Sequence, residues 1–358
     1  MGWPGQIEDI LKAAVEQGTT DVFLIAGAPV AFKTKGRISF MGDESLMPAQ
    51  SEELVRRIYA IAQRDVDITI NSGDDDFAFA LPGVSRFRVS TYKQRGSLAA
   101  VIRIISFGVP DYRKLNIPER IITSANKSSG LILVTGPAGS GKSTTLACMI
   151  DHINEVRNGH IITLEDPIEY LHRNKSSIIS QREVALDTKS YVNALRASLR
   201  QAPDVILVGE MRDFDTIQTV MTAAETGHLV ISTLHTRSAA DTVDRIIDVF
   251  PSAQQQQIRV QLSMLLQAVV TQQLVPTVDG GLAPAFEVMY NSTAIRTLIR
   301  ESKVHQIDSA ISASVADGMT TMDMSLMALR SGGRISDDMA LQYSINPELM
   351  AKRLAAAK

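Results

Sequence analysis

The chain has 358 residues, enough for two domains of ordinary size that each bury their own core. With 45% hydrophobic and 21% charged side chains, the composition is that of a soluble globular protein and argues against a disordered chain. The 36 basic residues against 39 acidic ones leave a formal net charge of -3, which gives no general reason to expect nucleic acid as a partner, because non-specific phosphate binding is driven by clustered Lys and Arg.

The N-terminus MGWPGQIEDI lacks the basic start and apolar run of a signal peptide, and no segment approaches the roughly 18 apolar residues of a membrane span. A cytoplasmic chain without direct membrane insertion is expected. Residues 6–17, QIEDILKAAVEQ, place Ile7, Ile10, Leu11, Ala14 and Val15 at helical spacing, with Gly18 as a stop. The runs DVFLIAG, VAFKTKGRI, FAFALPG, SRFRVSTYKQ and LAAVIRII are short, rich in β-branched and aromatic residues, and separated by Gly or Pro. A helix, SEELVRRIYAIAQ, lies between the second and third, so this part reads as a mixed α/β domain. The acidic run Asp74-Asp75-Asp76 reads as a solvated turn, with metal binding the alternative.

From DYRKLNIPER onward, apolar strands alternate with helices, the pattern of a parallel sheet with crossover helices. Strands are expected at GLILVTG, HIITLED, DVILVGE and HLVISTLHT, with helices at 142–156, 188–200, 214–225, 238–249 and 252–269. VVTQQLVPT and APAFEVMY read as a β-pair, and residues 292–358 as mainly helical. The one cysteine, Cys148, falls in a predicted helix and reads as a small buried apolar residue in a reducing compartment.

The strongest motif is GPAGSGKST, residues 136–144, which fits G-x-x-x-x-G-K-[ST], follows the strand LILVT and opens a helix. Gly136, Pro137, Ala138, Gly139, Ser140, Gly141, Lys142, Ser143 and Thr144 are therefore the candidate nucleotide-binding residues. Backbone N–H groups would surround the β-phosphate, Lys142 would reach the β- and γ-phosphates, and Ser143 would place its hydroxyl on magnesium. In LEDPIEY, Glu165, Asp166 and Glu169 cluster where a strand ends, and Glu210 ends the next apolar strand. Ligands bind at the carboxyl ends of strands in such sheets, so these acids are expected to face the phosphate loop, unless they are solvated turn acids. His228 and His235 flank a third strand with a separation of seven, which disfavours one metal between them. His235 is a candidate γ-phosphate sensor and His228 a packing or coupling residue, with a core role open for both. Arg86 and Arg88 share a strand face, and Arg95 and Arg103 follow; such a domain could supply a cation to a neighbouring subunit's site, or these could be ordinary exposed arginines. In AIRTLIRE, residues 294–301, Ile295, Leu298 and Ile299 form an apolar helix face while Arg296 and Arg300 project together from another, as a docking surface or a solvated one.

Together GPAGSGKSTTLA, HIITLEDPIEYLHR, ISQREVALDTKSY, LRQAPDVILVGEMRD, TAAETGHLVISTLHT, DRIIDVFPSAQQQQIR and AIRTLIRE resemble the type IV pilus retraction ATPases, a branch of the type II/IV secretion ATPases, over residues 115–320. Ala138 and Thr297 depart from the family's usual Thr and Asn. The resemblance implies an α/β chain with an N-terminal PAS-like domain (1–112), a linker (113–125), a RecA-like P-loop core (126–291) and a helical C-terminal region (292–358). It makes residues 159–170 an Asp box, 204–210 a variant Walker B ending in Gly-Glu, and 226–236 a His box. Glu210 is then the catalytic carboxylate, with Glu165 and Glu169 next in line, His235, Arg88 and Arg103 as further catalytic candidates, Ser143 and Glu210 bearing on Mg2+, and His228, Arg296 and Arg300 in coupling. The implied protein is a homo-hexameric, ATP- and Mg2+-dependent motor that retracts pili. It is held at the inner membrane through a pilus platform protein, with a second retraction ATPase as a further candidate partner. The alternatives are a pilus extension or type II secretion ATPase, a DNA motor, or an accessory ATP-binding ring.

Overall fold

Ile7, Ile10, Leu11 and Ala14 are fully buried along α1 (Ile7–Glu16), as their helical spacing requires. The computed structural model describes residues 6–34, 36–105 and 108–356. Two compact units emerge, Met1–Gly108 with Glu169–Leu171, and Val109–Ile168 with His172–Lys358.

In the first unit α1 is followed by β1 (Asp21–Leu24), β2 (Ala31–Thr34), β3 (Arg37–Phe40), α2 (Pro48–Ile61), α3 (Asp67–Ser72), β4 (Asp74–Leu81), β5 (Ser85–Gln94) and β6 (Ser97–Ile105). The six strands form one antiparallel sheet in the order β3-β2-β1-β6-β5-β4. Phe87, Val89 and Ile102 point into a core with Leu54, Val55 and Ile58 of α2, while Arg88 on β5 points out. The run VAFKTKGRI, expected as one strand, folds into the hairpin β2–β3. The acidic run also differs from expectation: Asp74, Asp75 and Asp76 begin β4. The Asp75 side chain is tucked away because Arg64 donates to both of its oxygens at 2.7 Å and Tyr59 donates at 3.0 Å, and a bidentate guanidinium replaces the water a turn would have supplied.

The second unit runs α4 (Glu119–Thr123), β7 (Gly130–Thr135), α5 (Lys142–Val156), β8 (His160–Glu165), β9 (Ile178–Glu183), α6 (Tyr191–Ser198), β10 (Val205–Val208), α7 (Phe214–Glu225), β11 (Leu229–Leu234), α8 (Ala239–Asp248), α9 (Ser252–Leu265), β12 (Leu266–Pro276) and β13 (Leu282–Tyr290). Then come α10 (Thr293–Arg300), α11 (Ile307–Ala313), α12 (Met322–Ser331), α13 (Asp337–Tyr343) and α14 (Pro347–Ala356). The sheet order is β13-β12-β7-β11-β10-β8-β9, parallel throughout except for β13 on β12. Alternate residues serve opposite faces: Leu131, Leu133, Ile206 and Val208 pack with α7, α8 and α9, whereas Ile132, Val134, Val205 and Leu207 pack with α4 and α5. Two expectations are corrected here. The helix expected over 252–269 ends at Leu265, because β12 has already begun pairing with β7 at Leu266. β9 was not anticipated; its polar second half, Ser180-Gln181-Arg182, hides an edge strand. The parallel order brings the carboxyl ends of β7, β8, β10 and β11 to one edge. Among the described residues no helix is long and apolar enough to cross a membrane.

Candidate active site

β7 is buried along its whole length and releases the chain into residues 136–141 before α5 begins at Lys142. The helices α6, α7, α8 and α10 are each capped by a side chain, Ser190, Asp213, Ser238 and Ser292 respectively. The N-cap of α5 is instead Gly141, which has no side chain to offer, and the first turn of α5 contains no acid. A helix start built this way keeps its N–H groups and its positive dipole end for an anion. Gly136 adopts φ +141, and a Cβ there would run into the carbonyl oxygen of Gln272 on β12. Gln272 is itself buried and accepts from Thr145 Oγ1 at 2.6 Å, so β12 packs the loop from the side. The buried Lys142 donates to the carbonyls of Gly136 and Pro137 at 2.8 and 2.9 Å, which holds its ammonium inside the loop. Ser143 and Thr144 are half-buried in the first turn, Pro137, Ala138 and Gly139 are exposed, and the buried Ser140 Oγ has no hydrogen-bond partner among the described residues. These donors and this cation fit the β- and γ-phosphates of a nucleotide.

At the end of β10 the backbone of Gly209 is gripped on both sides: its N–H donates to Leu164 at 2.8 Å and its carbonyl accepts from Thr233 Oγ1 at 2.6 Å. A Cβ at Gly209 would lie 2.7 Å from Tyr191 Oη. This explains a glycine at the end of so apolar a strand: the tyrosine that opens α6 occupies the space. Glu210 follows with a side chain only 15% exposed, paired through Oε2 with Arg212 Nε at 2.6 Å; His235 Nε2 lies 3.5 Å from the same oxygen. Oε1 makes no hydrogen bond among the described residues. The hydrogen bond that Arg212 donates to Glu210 raises the Arg212 pKa, and burial, followed by Asp166, Glu210 and Glu165, raises that of the Tyr191 hydroxyl. Glu165, at the end of β8, accepts from Thr163 Oγ1 at 2.6 Å and Gln181 Nε2 at 3.2 Å on one oxygen.

His228 precedes β11 at the amino edge of the sheet, where Nδ1 faces Ala223 O at 3.0 Å and Thr226 Oγ1 at 3.1 Å and closes the end of α7. Glu169 is exposed and groups with the first unit. Within that unit Arg88 and Arg103 face each other across β5 and β6, and Arg103 also pairs with Asp21 on β1 at 2.9 Å. Arg296 and Arg300 are exposed on α10 while Ile295 and Ile299 are buried. Burial pushes the Cys148 thiol up to about 12, which makes it a packing residue and no nucleophile. The sequence reading missed Arg212, Tyr191 and Gln272; the first was visible two residues after Glu210, while the other two reach the site only through packing.

The family model for Type II/IV secretion system protein matches residues 5–323. The chain is 43% identical over 346 residues to the type IV pilus retractation ATPase PilT of Pseudomonas aeruginosa, covering 96% of this chain and 99% of that protein. It is 40% identical over 340 residues to the type IV pilus ATPase PilU of the same species, covering 95% and 88%. A crystal structure of the pilus retraction motor PilT with bound ADP superposes with a TM-score of 0.88 at 44% identity, covering 97% of this chain and 99% of that one.

Proposed function

The chain belongs to the type II/IV secretion system protein family, and from that premise we propose that it is the ATPase motor of type IV pilus retraction. The observation that carries this reading is the convergence, on one edge of the sheet, of a phosphate loop with an uncapped helix start and a half-buried carboxylate at the end of β10. Lys142 and the N–H groups of the loop bind the phosphates, and the Ser143 hydroxyl would hold a magnesium ion together with the nucleotide. No group of three or more His, Cys, Asp or Glu among the described residues could hold a metal ion, which fits an ion carried largely by the nucleotide's own oxygens. When bound, Mg2+ neutralises charge that develops on the phosphates.

Glu210 orients and deprotonates the attacking water through Oε1, while Arg212 and His235 hold Oε2. Glu165, which accepts from Thr163 and Gln181 on one oxygen, is next in line for this role. His235, beside Glu210 at the end of β11, senses the γ-phosphate. Arg88 supplies a cation to a neighbouring subunit's site in a homo-hexamer, with Arg103 beside it, and Glu169 has an outer role. His228, Arg296 and Arg300 couple hydrolysis to motion, with the exposed arginines docking an acidic partner such as a pilus platform protein at the cytoplasmic face of the inner membrane. The similarity to PilU supports action alongside a second retraction ATPase.

Glu210→Gln is expected to keep ATP binding and to lower hydrolysis by at least about 100-fold. Turnover within a few-fold of wild type would move the water-activating role to another group.

A further inference from the structure

Glu287 stands in β13 as a carboxylate 2% exposed, with no ion-pair partner among the described residues. A buried charge of this kind is costly unless other groups compensate it. Here Oε1 accepts the N–H of Ala239, the first residue of α8, at 2.6 Å, and Oε2 accepts the N–H of Met322, the first residue of α12, at 3.4 Å. Two helix N-termini, each with its partial positive charge, take the place of a cation. A glutamine could not substitute: with one acceptor and one donor, it would turn an N–H against one of the two helix N–H groups.

The carboxylate is tied to the phosphate site by two routes. Ala239 is four residues beyond His235, and the intervening loop is laced to α8: Ser238 Oγ accepts the Asp241 N–H at 3.0 Å, and the Thr236 and Thr242 hydroxyls lie 2.7 Å apart. Along the sheet, Glu287 is in register with Thr271 on β12, which is in register with Thr135 on β7; the two threonine hydroxyls are 2.9 Å apart, and Gly136 opens the phosphate loop next. On its far side Glu287 holds α12, whose Met322 and Leu326 pack with Ala340 of α13 and Met350 and Leu354 of α14.

We propose that Glu287 is a positioning residue for ATP hydrolysis, clamping the first turns of α8 and α12 so that the loop bearing His235 is fixed and joined to the C-terminal helices. This rests on the reading that Glu210 and His235 work at the site of hydrolysis. The clamp needs the ionised form, because a protonated carboxyl presents an O–H to one of the N–H donors. Burial, with Asp308 of α11 and Asp241 of α8, pushes the Glu287 carboxyl up to about 7 against the N–H groups of Ala239 and Met322. Asp323 of α12 and Arg353 of α14 line the same cavity of about 540 Å3. Hydrolysis that depends on the clamp therefore rises as pH rises through about 7. The stability contributed by this group goes the other way: its folded pKa lies above the ordinary 4.5, so the contribution is complete below 4.5 and is lost as pH passes about 7.

The test compares purified full-length chain with Glu287→Gln and Glu287→Asp at fixed protein concentration. Glu287→Gln should lower kcat about 10-fold, leave KM for ATP within about twofold, and remove the rise in kcat from about pH 6 to about pH 8; Glu287→Asp should recover part of both. Wild-type kcat and pH profile in Glu287→Gln overturn the inference. Should that variant not fold, amide proton shifts of the wild-type chain decide: those of Ala239 and Met322 should move downfield with a midpoint near pH 7, as the carboxylate that accepts them ionises, and pH-independent shifts overturn the clamp. Glu210→Gln assayed in parallel separates the two readings. An active Glu210→Gln removes the premise, whereas an inactive one beside a normal Glu287→Gln removes only the clamp.

Discussion

Gly209→Ala perturbs the site without touching a charged group. Its Cβ would meet Tyr191 Oη at 2.7 Å and Leu164 O at 3.3 Å, where ordinary contacts begin at 3.4 Å. The overlap of about 0.7 Å with the tyrosine hydroxyl must be relieved by moving one of the two, at a cost of about 1–3 kcal/mol, the usual range for overpacking a core. The backbone cannot retreat easily, since Gly209 N and O are both hydrogen-bonded to neighbouring strands. Glu210 follows directly, so a shift of a few tenths of an ångström reaches its carboxylate and should lower kcat roughly 10-fold. Tyr191→Phe removes Oη and leaves the ring carbon Cζ at 3.5 Å, an ordinary contact. The double variant should thus regain most of the stability and turnover lost by Gly209→Ala, a coupling of about 1–2 kcal/mol in a urea-unfolding cycle run at one protein concentration. A double variant no better than Gly209→Ala would refute the claim that the tyrosine dictates this glycine.

Lys142→Ala should lose both ATP affinity and turnover, because the loop keeps its N–H donors but lacks the cation spanning the phosphates; tight binding with normal turnover in a fluorescent-nucleotide titration contradicts this. Burial alone would raise the Asp75 carboxyl, but hydrogen bonds from Arg64 and Tyr59 outweigh it and hold the group below the usual carboxylate range. Its contribution to stability is therefore present above about pH 4 and is lost as pH falls through the lower folded value, so Asp75→Asn should flatten the acid limb of a stability-versus-pH curve. Arg296→Ala with Arg300→Ala should leave ATP hydrolysis within about twofold, since both side chains are exposed, yet abolish retraction in cells; normal twitching at equal protein level would make α10 a purely structural helix.

The core was legible wherever a local pattern and its tertiary use coincide. The apolar runs of β7, β8, β10 and β11 are fully buried, or nearly so, and GPAGSGKST needs only a strand before it and a helix after it. Legibility failed where a partner distant in sequence reverses the local preference. Asp74-Asp75-Asp76 looks like a turn until Arg64 and Tyr59 are brought against it, and Ser180-Gln181-Arg182 looks like a loop until β8 pairs with it. Glu210 was marked by the strand that precedes it. The reason for Gly209 lay in Tyr191, eighteen residues upstream, and no spacing rule connects the two.

The central claim is that hydrolysis at Glu210 drives pilus retraction, and it is tested most directly by replacing the chromosomal copy with Glu210→Gln and measuring pilus length and twitching at wild-type protein level. Long pili that do not retract, with twitching abolished, are the predicted outcome. Bald cells, or cells that twitch as wild type does, would contradict it.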